Sequence, residues 1–306
     1  MTGPVPVGRG AGRVVVVGDV VTDVVAVLAC APATGSDTPA RISFTGGGQA
    51  ANTAAWLAHQ RVPVTLVGAV GTDDTGRARV AELTGLGVDC AVTRHPDAPT
   101  GTVIVLAAAG ERTMVTERGA NLRLSAADVD AALAGAPDAR HLHLSAYPLL
   151  DAASRGAGLR ALAAARERGL TTSVDAASAV PLRRVGAAAF LGWVRDVDLL
   201  LANADEASVL ADGADPVAQA RALARVAHRV VVKRGGAGAV WADRAGTVVK
   251  VAARPVEVVD VTGAGDAFAA GLLAAWAGGA APAVALERAG DLGAVAVATV
   301  GARPPG

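Results

Sequence analysis

The stretch "DVTGAGDAFAAG", residues 260–271, sets Gly263, Ala264, Gly265 and the carboxylate of Asp266 between a valine-rich run and an alanine-rich pattern of helical period. Its plainest reading is a tight strand-to-helix turn. Glycine allows dihedrals that other residues avoid, and an acid in the first helical turn complements the helix dipole. A second reading uses the same residues for chemistry: small residues at a helix N-terminus leave backbone N–H groups open to an anion, with Asp266 facing whatever that anion is transferred to. The stretch alone does not choose between them.

Outward from it, the same alternation recurs along the chain. "RVVVVG" precedes the helical "GQAANTAAWLAHQ", "VTLVGAV" precedes "TGRARVAELTGLG", and "HLHLSA" precedes "DAASRGAGLRALAAARERG". "TTSVDA", "VDLLLA" and "RVVVKRGG" continue the series of candidate strands. Strands alternating with helices predict βαβ units and a parallel sheet covered on both faces, with ligands at the carboxyl ends of its strands. Two segments break the rhythm. "SDTPARISFTGGG" and "PTGTVIVLAAAGERTMVTERGAN" read as short extended runs, with "AAGER" as a hairpin loop, so a small β lid is expected at about 36–46 and 99–119 of a single domain, 1–306.

Composition narrows the function classes. With 28 basic and 28 acidic residues the chain carries no electrostatic footprint for nucleic acid or anionic lipid, which leaves a small molecule or another protein as partner. Its two cysteines, Cys30 and Cys90, are too few for a disulfide framework and read as small core residues in a reducing, cytoplasmic compartment. The N-terminal run of four valines, broken by Gly18 and Asp19, is too short for a signal peptide. "AFAAGLLAAWAGGAAPAVAL", residues 267–286, approaches membrane-spanning length, but Gly278, Gly279 and Pro282 interrupt it, so it reads as a buried helix, a turn and the start of another helix.

Each remaining motif has a structural and a chemical reading. "TGGGQAANTA" is either a lid hinge or a glycine run that lets Gly47 and Gly48 approach a ligand, with Asn52 donating from the helix that follows. "VGDVVTDVV" places Asp19 and Asp23 just beyond the first strand, as solvated turn residues or as acceptors for sugar hydroxyls. In "ANADEASVL", Asn203 and Glu206 suit a helix cap with its reciprocal acid, and equally a phosphate contact with an outer-sphere Mg²⁺ ligand. "KRGGAG" offers Lys233, Gly235 and Gly238 to a nucleotide or simply turns a hairpin. No GxxxxGK[ST] loop or dinucleotide fingerprint is present, which removes a nicotinamide oxidoreductase. His141 and His143 share one strand face without a third ligand and read as structural.

Taken in order, these motifs resemble the PfkB, or ribokinase-like, family of carbohydrate and nucleoside kinases over about residues 14–301. "GGGQAANTA" resembles its N-terminal signature, "NADE" its NxxE element, "KRGGAG" its nucleotide loop and "DVTGAGDAFAAG" its C-terminal signature. The resemblance implies a three-layer α/β/α core with a mainly parallel sheet, a β lid, and transfer of the ATP γ-phosphate to a primary alcohol with Mg²⁺. It also implies an anion hole from Gly263, Ala264 and Gly265, Asp266 as base, sugar contacts from Asp23, Gly47, Gly48 and Asn52, and a monovalent cation such as K⁺ near Asp260 and Thr262. Val21 and Ala146 stand where ribokinases proper carry an asparagine and a glutamate against the sugar. The acceptor implied is therefore a sugar of ribose or fructose type, with a nucleoside on the same scaffold or a silent binding protein as the alternatives. Lid strands with exposed edges also suggest a homodimer.

Overall fold

The computed structural model describes residues 12–108 and 111–305. Strands β1 (Arg13–Val17), β2 (Val21–Leu28) and β3 (Ala40–Gly47) lead into helix α1 (Gln49–His59). Next come β4 (Val64–Gly71), α2 (Asp74–Gly85), β5 (Asp89–His95), β6 (Gly101–Ala108), β7 (Glu111–Glu117), α3 (Ala126–Ala134), β8 (Ala139–Ser145) and α4 (Tyr147–Leu150). The chain continues through α5 (Arg155–Glu167), β9 (Thr171–Asp175), α6 (Ala179–Val185), α7 (Ala187–Trp193), β10 (Leu199–Asn203), α8 (Ala204–Leu210) and α9 (Pro216–Leu223). It closes with β11 (Arg229–Lys233), β12 (Ala239–Asp243), β13 (Val248–Val251), α10 (Ala264–Ala277) and α11 (Pro282–Val297).

Nine strands form one sheet in the order β13-β12-β11-β10-β9-β8-β1-β4-β5. From β5 to β11 every neighbour is parallel; β12 alone runs against the rest, antiparallel to both β11 and β13. The valine run of β1 shows why both faces are covered. Val15 and Val17 point into one core, with residues of α3, α5, α8 and α9; Val14 and Val16 point into the other, with α1, α10 and α11. Side chains alternate at period two along a strand, so a run apolar at every position belongs between two helix layers. No helix among the described residues is long and apolar enough to cross a membrane; residues 267–286 instead span α10, a turn and the start of α11.

A second sheet of four strands, β3-β2-β6-β7, stands beside the first. Its strand β2 lay outside the segments expected for the lid, and Asp23 is a residue of β2 rather than the end of a core strand. The cause is local: after β1 the chain turns at Gly18 and Asp19 and leaves the large sheet, so its next valines pair with β3 and β6. The hairpin loop read in "AAGER" centres on 109–110, outside the described residues, between the antiparallel β6 and β7. Of residues 1–19, on which the signal-peptide reading rests, 1–11 lie outside them, and the four valines are Val14 to Val17 of β1.

Two further expectations are corrected. The valines before Asp260 form no strand: residues 252–263 carry no regular structure until α10 begins, and Val256, Val258 and Val259 are exposed. Cys30 is exposed and Cys90 half-buried, so neither is a core residue.

Candidate active site

The carboxyl ends of the parallel strands converge with the N-termini of α1 and α10. Register pairs Ser145 with Asp175, Leu201 with Asp175 and Asn203 with Lys233, so the ends of four adjacent strands carry polar side chains, Asn203 and Lys233 lying two residues beyond the level of Ser145 and Asp175. Lys233 Nζ donates to Asp175 Oδ2 at 2.5 Å. Asp175 is buried to 1% exposure, and a buried carboxylate requires a partner of this kind.

Helix α10 is preceded by its N-terminal cap, Gly263, whose φ of 73° is left-handed. A side chain there would be strained by that backbone, and its Cβ would stand 2.6 Å from Ala302. Small residues thus let the helix end abut the C-terminal segment, which Trp56 Nε1 holds by donating to the Ala302 carbonyl at 3.0 Å. Of the three amides expected to form an anion hole, that of Ala264 donates to Val261 O at 3.3 Å. Lys233 Nζ would lie 3.6 Å from a methyl group placed on Gly265, so its charge stands beside the first turn of α10.

Asp266 projects from that turn toward α1, where Asn52 Nδ2 donates to its Oδ2 at 2.7 Å across 214 residues of sequence. The other end of the Asn52 amide, Oδ1, is buried with no partner among the described residues. Burial pushes the Asp266 carboxyl up to about 8; the Asn52 hydrogen bond holds it back, Asp175 adds to the rise and Lys233 opposes it.

Asn203 and Glu206 form a capping box at the start of α8: Glu206 N–H donates to Asn203 Oδ1 at 2.9 Å, while Glu206 Oε2 accepts from the Asn203 N–H at 2.7 Å. Glu206 Oε1 also accepts from Asn203 Nδ2 at 2.7 Å. The structural reading of this motif therefore holds. Burial raises the Glu206 carboxyl to about 7, Asp175 adds to it and Lys233 opposes it. Gly235 and Gly238 turn the β11–β12 connection, with Arg234 N–H donating to Gly238 O at 2.8 Å. Asp260 Oδ1 accepts from the Thr262 N–H and hydroxyl at 2.9 and 2.6 Å, and its Oδ2 accepts from Gly301 N–H at 3.0 Å.

Asp19, Asp23, Gly47 and Gly48 gather on the other side of Asn52. Asp19 Oδ1 accepts from the Ala50 N–H and the Ser145 hydroxyl, each at 3.3 Å, and its Oδ2 lies 3.6 Å from Arg118. A Cβ on Gly47 would collide with the Asp23 carboxylate. Burial pushes the Asp23 carboxyl up to about 6, against the pull of Arg303 and Arg79 and with Asp19 adding to the rise. Sequence reasoning missed Asp175, Arg118 and Arg303. Asp175 had a signal, an acid at the carboxyl end of a strand; the two arginines had none.

Over residues 11–305 the sequence matches the pfkB family carbohydrate kinases. This chain belongs to the pfkB family. An ATP-dependent ribose-1-phosphate kinase of Halopiger xanaduensis is 32% identical to it, over 85% of this chain and 82% of that one. A fructokinase of Klebsiella pneumoniae is 33% identical, over 86% and 84%. The adenosine kinase of Sinorhizobium meliloti has the same ribokinase-like fold, with a TM-score of 0.85 over 96% of each chain at 24% identity. The pfkB fold thus carries acceptors of different chemistry, and the acceptor must be argued from the site.

Proposed function

We propose that this pfkB protein transfers the γ-phosphoryl group of ATP to a primary hydroxyl of a small carbohydrate of ribose or fructose type. The observation that carries the reading is the Asn52–Asp266 contact. It joins the two signature motifs at a part-buried carboxylate and leaves Asn52 Oδ1 open to a substrate hydroxyl. Asp266 takes the proton of the attacking alcohol, the alcohol oxygen forms the new bond to phosphorus, and ADP leaves with the electrons of the broken P–O bond. The amides of Gly263 and Gly265, that of Ala264 once it gives up its 3.3 Å bond to Val261 O, and the ammonium of Lys233 stabilise the developing negative charge. Asp19, Asp23, Gly47 and Gly48 hold the sugar; Asn203, Gly235 and Gly238 lie on the nucleotide side.

The carboxylates suit a divalent cation. Asp175 and Glu206 repel one another's charge, a repulsion that added positive charge would relieve. Mg²⁺ held through water near Glu206 would supply charge neutralisation of the phosphates. A monovalent cation such as K⁺ at Asp260 and Thr262 is tested by comparing rates in K⁺ and in a bulky organic cation; equal rates remove it.

The sugar reading is favoured over a nucleoside by Tyr147. The Arg118 guanidinium covers its ring at 3.8 Å, so the one tyrosine near the acceptor end is already stacked. A homodimer through the small sheet is supported by the row Phe44, Val24, Ile104 and Val115, paired in register across its four strands, in which Phe44 is 69% and Val115 56% exposed. A monomer by light scattering would refute it. An exposed free Cys30 suits a reducing cytoplasm.

The test is ADP release from MgATP over a panel of free sugars and nucleosides. Turnover on one class, reduced about 10²- to 10⁴-fold by Asp266→Asn, is the expected result. Near wild-type turnover by that variant would remove Asp266 as the base.

A further inference from the structure

Three cross-strand pairs climb the face of β8 and β9 that lies under α10: His141 beside Thr171, His143 beside Ser173, and Ser145 beside Asp175. The alternate residues Leu142, Leu144 and Val174 point into the core on the other side of the sheet. The face under α10 is therefore polar along its length, and apart from Thr171 at its foot none of the six residues is more than 2% exposed. A polar column inside a protein is costly unless its hydrogen bonds are complete.

Those bonds run with one polarity. Thr171 Oγ1 donates to the Arg140 carbonyl at 3.2 Å. It therefore accepts from His141 Nδ1, 2.9 Å away, and the neutral imidazole, with a single N–H, keeps Nε2 as an acceptor. Ser173 Oγ, 2.7 Å from that nitrogen, donates its only proton to it. The same oxygen then accepts from His143 Nδ1, also at 2.7 Å. Each step leaves one arrangement for the next, and the nitrogen left without a proton is His143 Nε2. That atom is buried with no hydrogen-bond partner among the described residues. Burial holds both rings neutral, as this order of donors requires.

The bare nitrogen has a charge to meet. Nε2 is the distal nitrogen of the ring, on the α10 side of the sheet. Lys233 Nζ, bonded to Asp175 two residues above Ser173, stands on the same side, beside the first turn of α10. Its charge acts on the His143 ring. The reverse polarity would turn an N–H toward that ammonium, whereas the polarity set by Thr171 turns toward it the negative end of four hydrogen bonds aligned in series. Asp175, Glu206 and Asp266 keep the lysine charged, and among the described residues Asp175 is the one that bonds it. A single bond does not fix a head that has three donors on a flexible four-carbon stem. We propose that His143 is a positioning residue for Lys233: the Thr171, His141 and Ser173 relay fixes its Nδ1–H form, and its Nε2 lone pair holds the ammonium beside the first turn of α10. The inference rests on the kinase reading above and deepens it, since Lys233 is where that reading sets positive charge against the transferred phosphoryl group.

The experiment is nuclear magnetic resonance of ¹⁵N-histidine-labelled protein at pH 7.5, joined to steady-state kinetics. His143 is assigned by the loss of its signals in His143→Gln. Its Nδ1 should carry the proton and its Nε2 none. In Lys233→Met combined with Asp175→Asn, which removes the pair without stranding a charge, the Nε2 signal should move downfield, as a bare ring nitrogen does on losing a positive neighbour. In the kinetic arm, His143→Asn keeps a donor for Ser173 but places nothing where Nε2 stands, while His143→Gln puts an oxygen there. The first should lower kcat roughly tenfold or more, the loss of one hydrogen bond to a charged group, with KM for the acceptor unchanged; the second should retain most of kcat. An Nε2–H form of His143, an Nε2 signal unmoved when Lys233 and Asp175 are replaced, or equal losses in His143→Gln and His143→Asn each overturns the proposal. If wild type releases no ADP from MgATP with any acceptor of the panel, the kinase reading fails, and the two resonance measurements still decide the tautomer and its link to Lys233.

Discussion

Asn52 and Asp266 are 214 residues apart in sequence and 2.7 Å apart in space, the amide donating to the carboxylate. Because this bond favours the ionised form, it restrains a pKa that burial drives upward to about 8. Replacing Asn52 with Leu should therefore raise that pKa further and move the rising limb of the kcat/KM profile to higher pH, since the base acts only when deprotonated. The loss of a charged hydrogen bond should lower kcat/KM roughly 10- to 100-fold. A fall in rate with an unmoved pH profile would show that Asn52 does not tune Asp266.

The same carboxylate should burden the fold. An aspartate whose folded pKa is near 8, against an ordinary value of 3.8, keeps its proton in the native state while the unfolded chain has lost it. Its stabilising contribution is complete below about pH 4 and is lost as pH rises through 8. Asp266→Asn preserves the shape without the charge, so its Tm advantage over wild type should grow from pH 5 to 8 and then level off. A gain of about 2 °C or more at pH 8 is expected for a chain of this size. A difference independent of pH would contradict the assignment of a protonated Asp266 in the native state.

How much of this was legible in the sequence depends on the range of the interaction. The helix cap at Asn203 and Glu206 is a contact three residues long and could be read directly. The layers were readable because alternate valines of β1 face separate cores. The valines before Asp260 misled, because composition alone does not distinguish a strand from a crossing segment; residues 252–263 lead from the sheet edge at β13 to the start of α10. Strand β2 was hidden by the turn at Gly18 and Asp19, where the chain changes sheets. Arg79 and Arg303, which act on Asp23, come from α2 and the C-terminal segment, which only the folded chain brings together.

Lys233 and Asp175 form a buried pair at the ends of strands β11 and β9. Burial works to lower the lysine's pKa, but Asp175 and Glu206 outweigh it, so the ammonium stays charged. Lys233→Met should leave the Asp175 carboxylate buried and alone, a loss of about 3 kcal/mol or more. Adding Asp175→Asn to that variant should recover a substantial part, because the uncompensated charge is then gone. Urea denaturation of the four proteins of this cycle measures it. A double variant as unstable as the sum of the singles would mean that the two groups do not interact.

His141 and His143 place a pH-dependent weakness beneath α10. Both rings are buried and share one hydroxyl: His141 Nε2 and His143 Nδ1 each lie 2.7 Å from Ser173 Oγ, and the Trp276 ring sits edge-on to His141 at 5.4 Å. Burial drives both down to about 3, with His143 adding to the fall at His141 and Lys233 to that at His143. A histidine whose folded pKa is depressed contributes stability that is complete above the unfolded value of 6.5 and is lost as pH falls toward 3. At pH 5 the unfolded chain binds protons that the folded core refuses, a loss of about 2 kcal/mol per histidine. The raised carboxylates Asp23, Glu206 and Asp266 work in the opposite direction over the same range, so the net slope in wild type understates the effect. Comparing wild type with His141→Gln/His143→Gln cancels those carboxylates. The variant should be less stable at pH 7.5, where it loses packing, and should close much of that gap by pH 5. A stability difference constant across that range would mean that these rings are protonated in the fold.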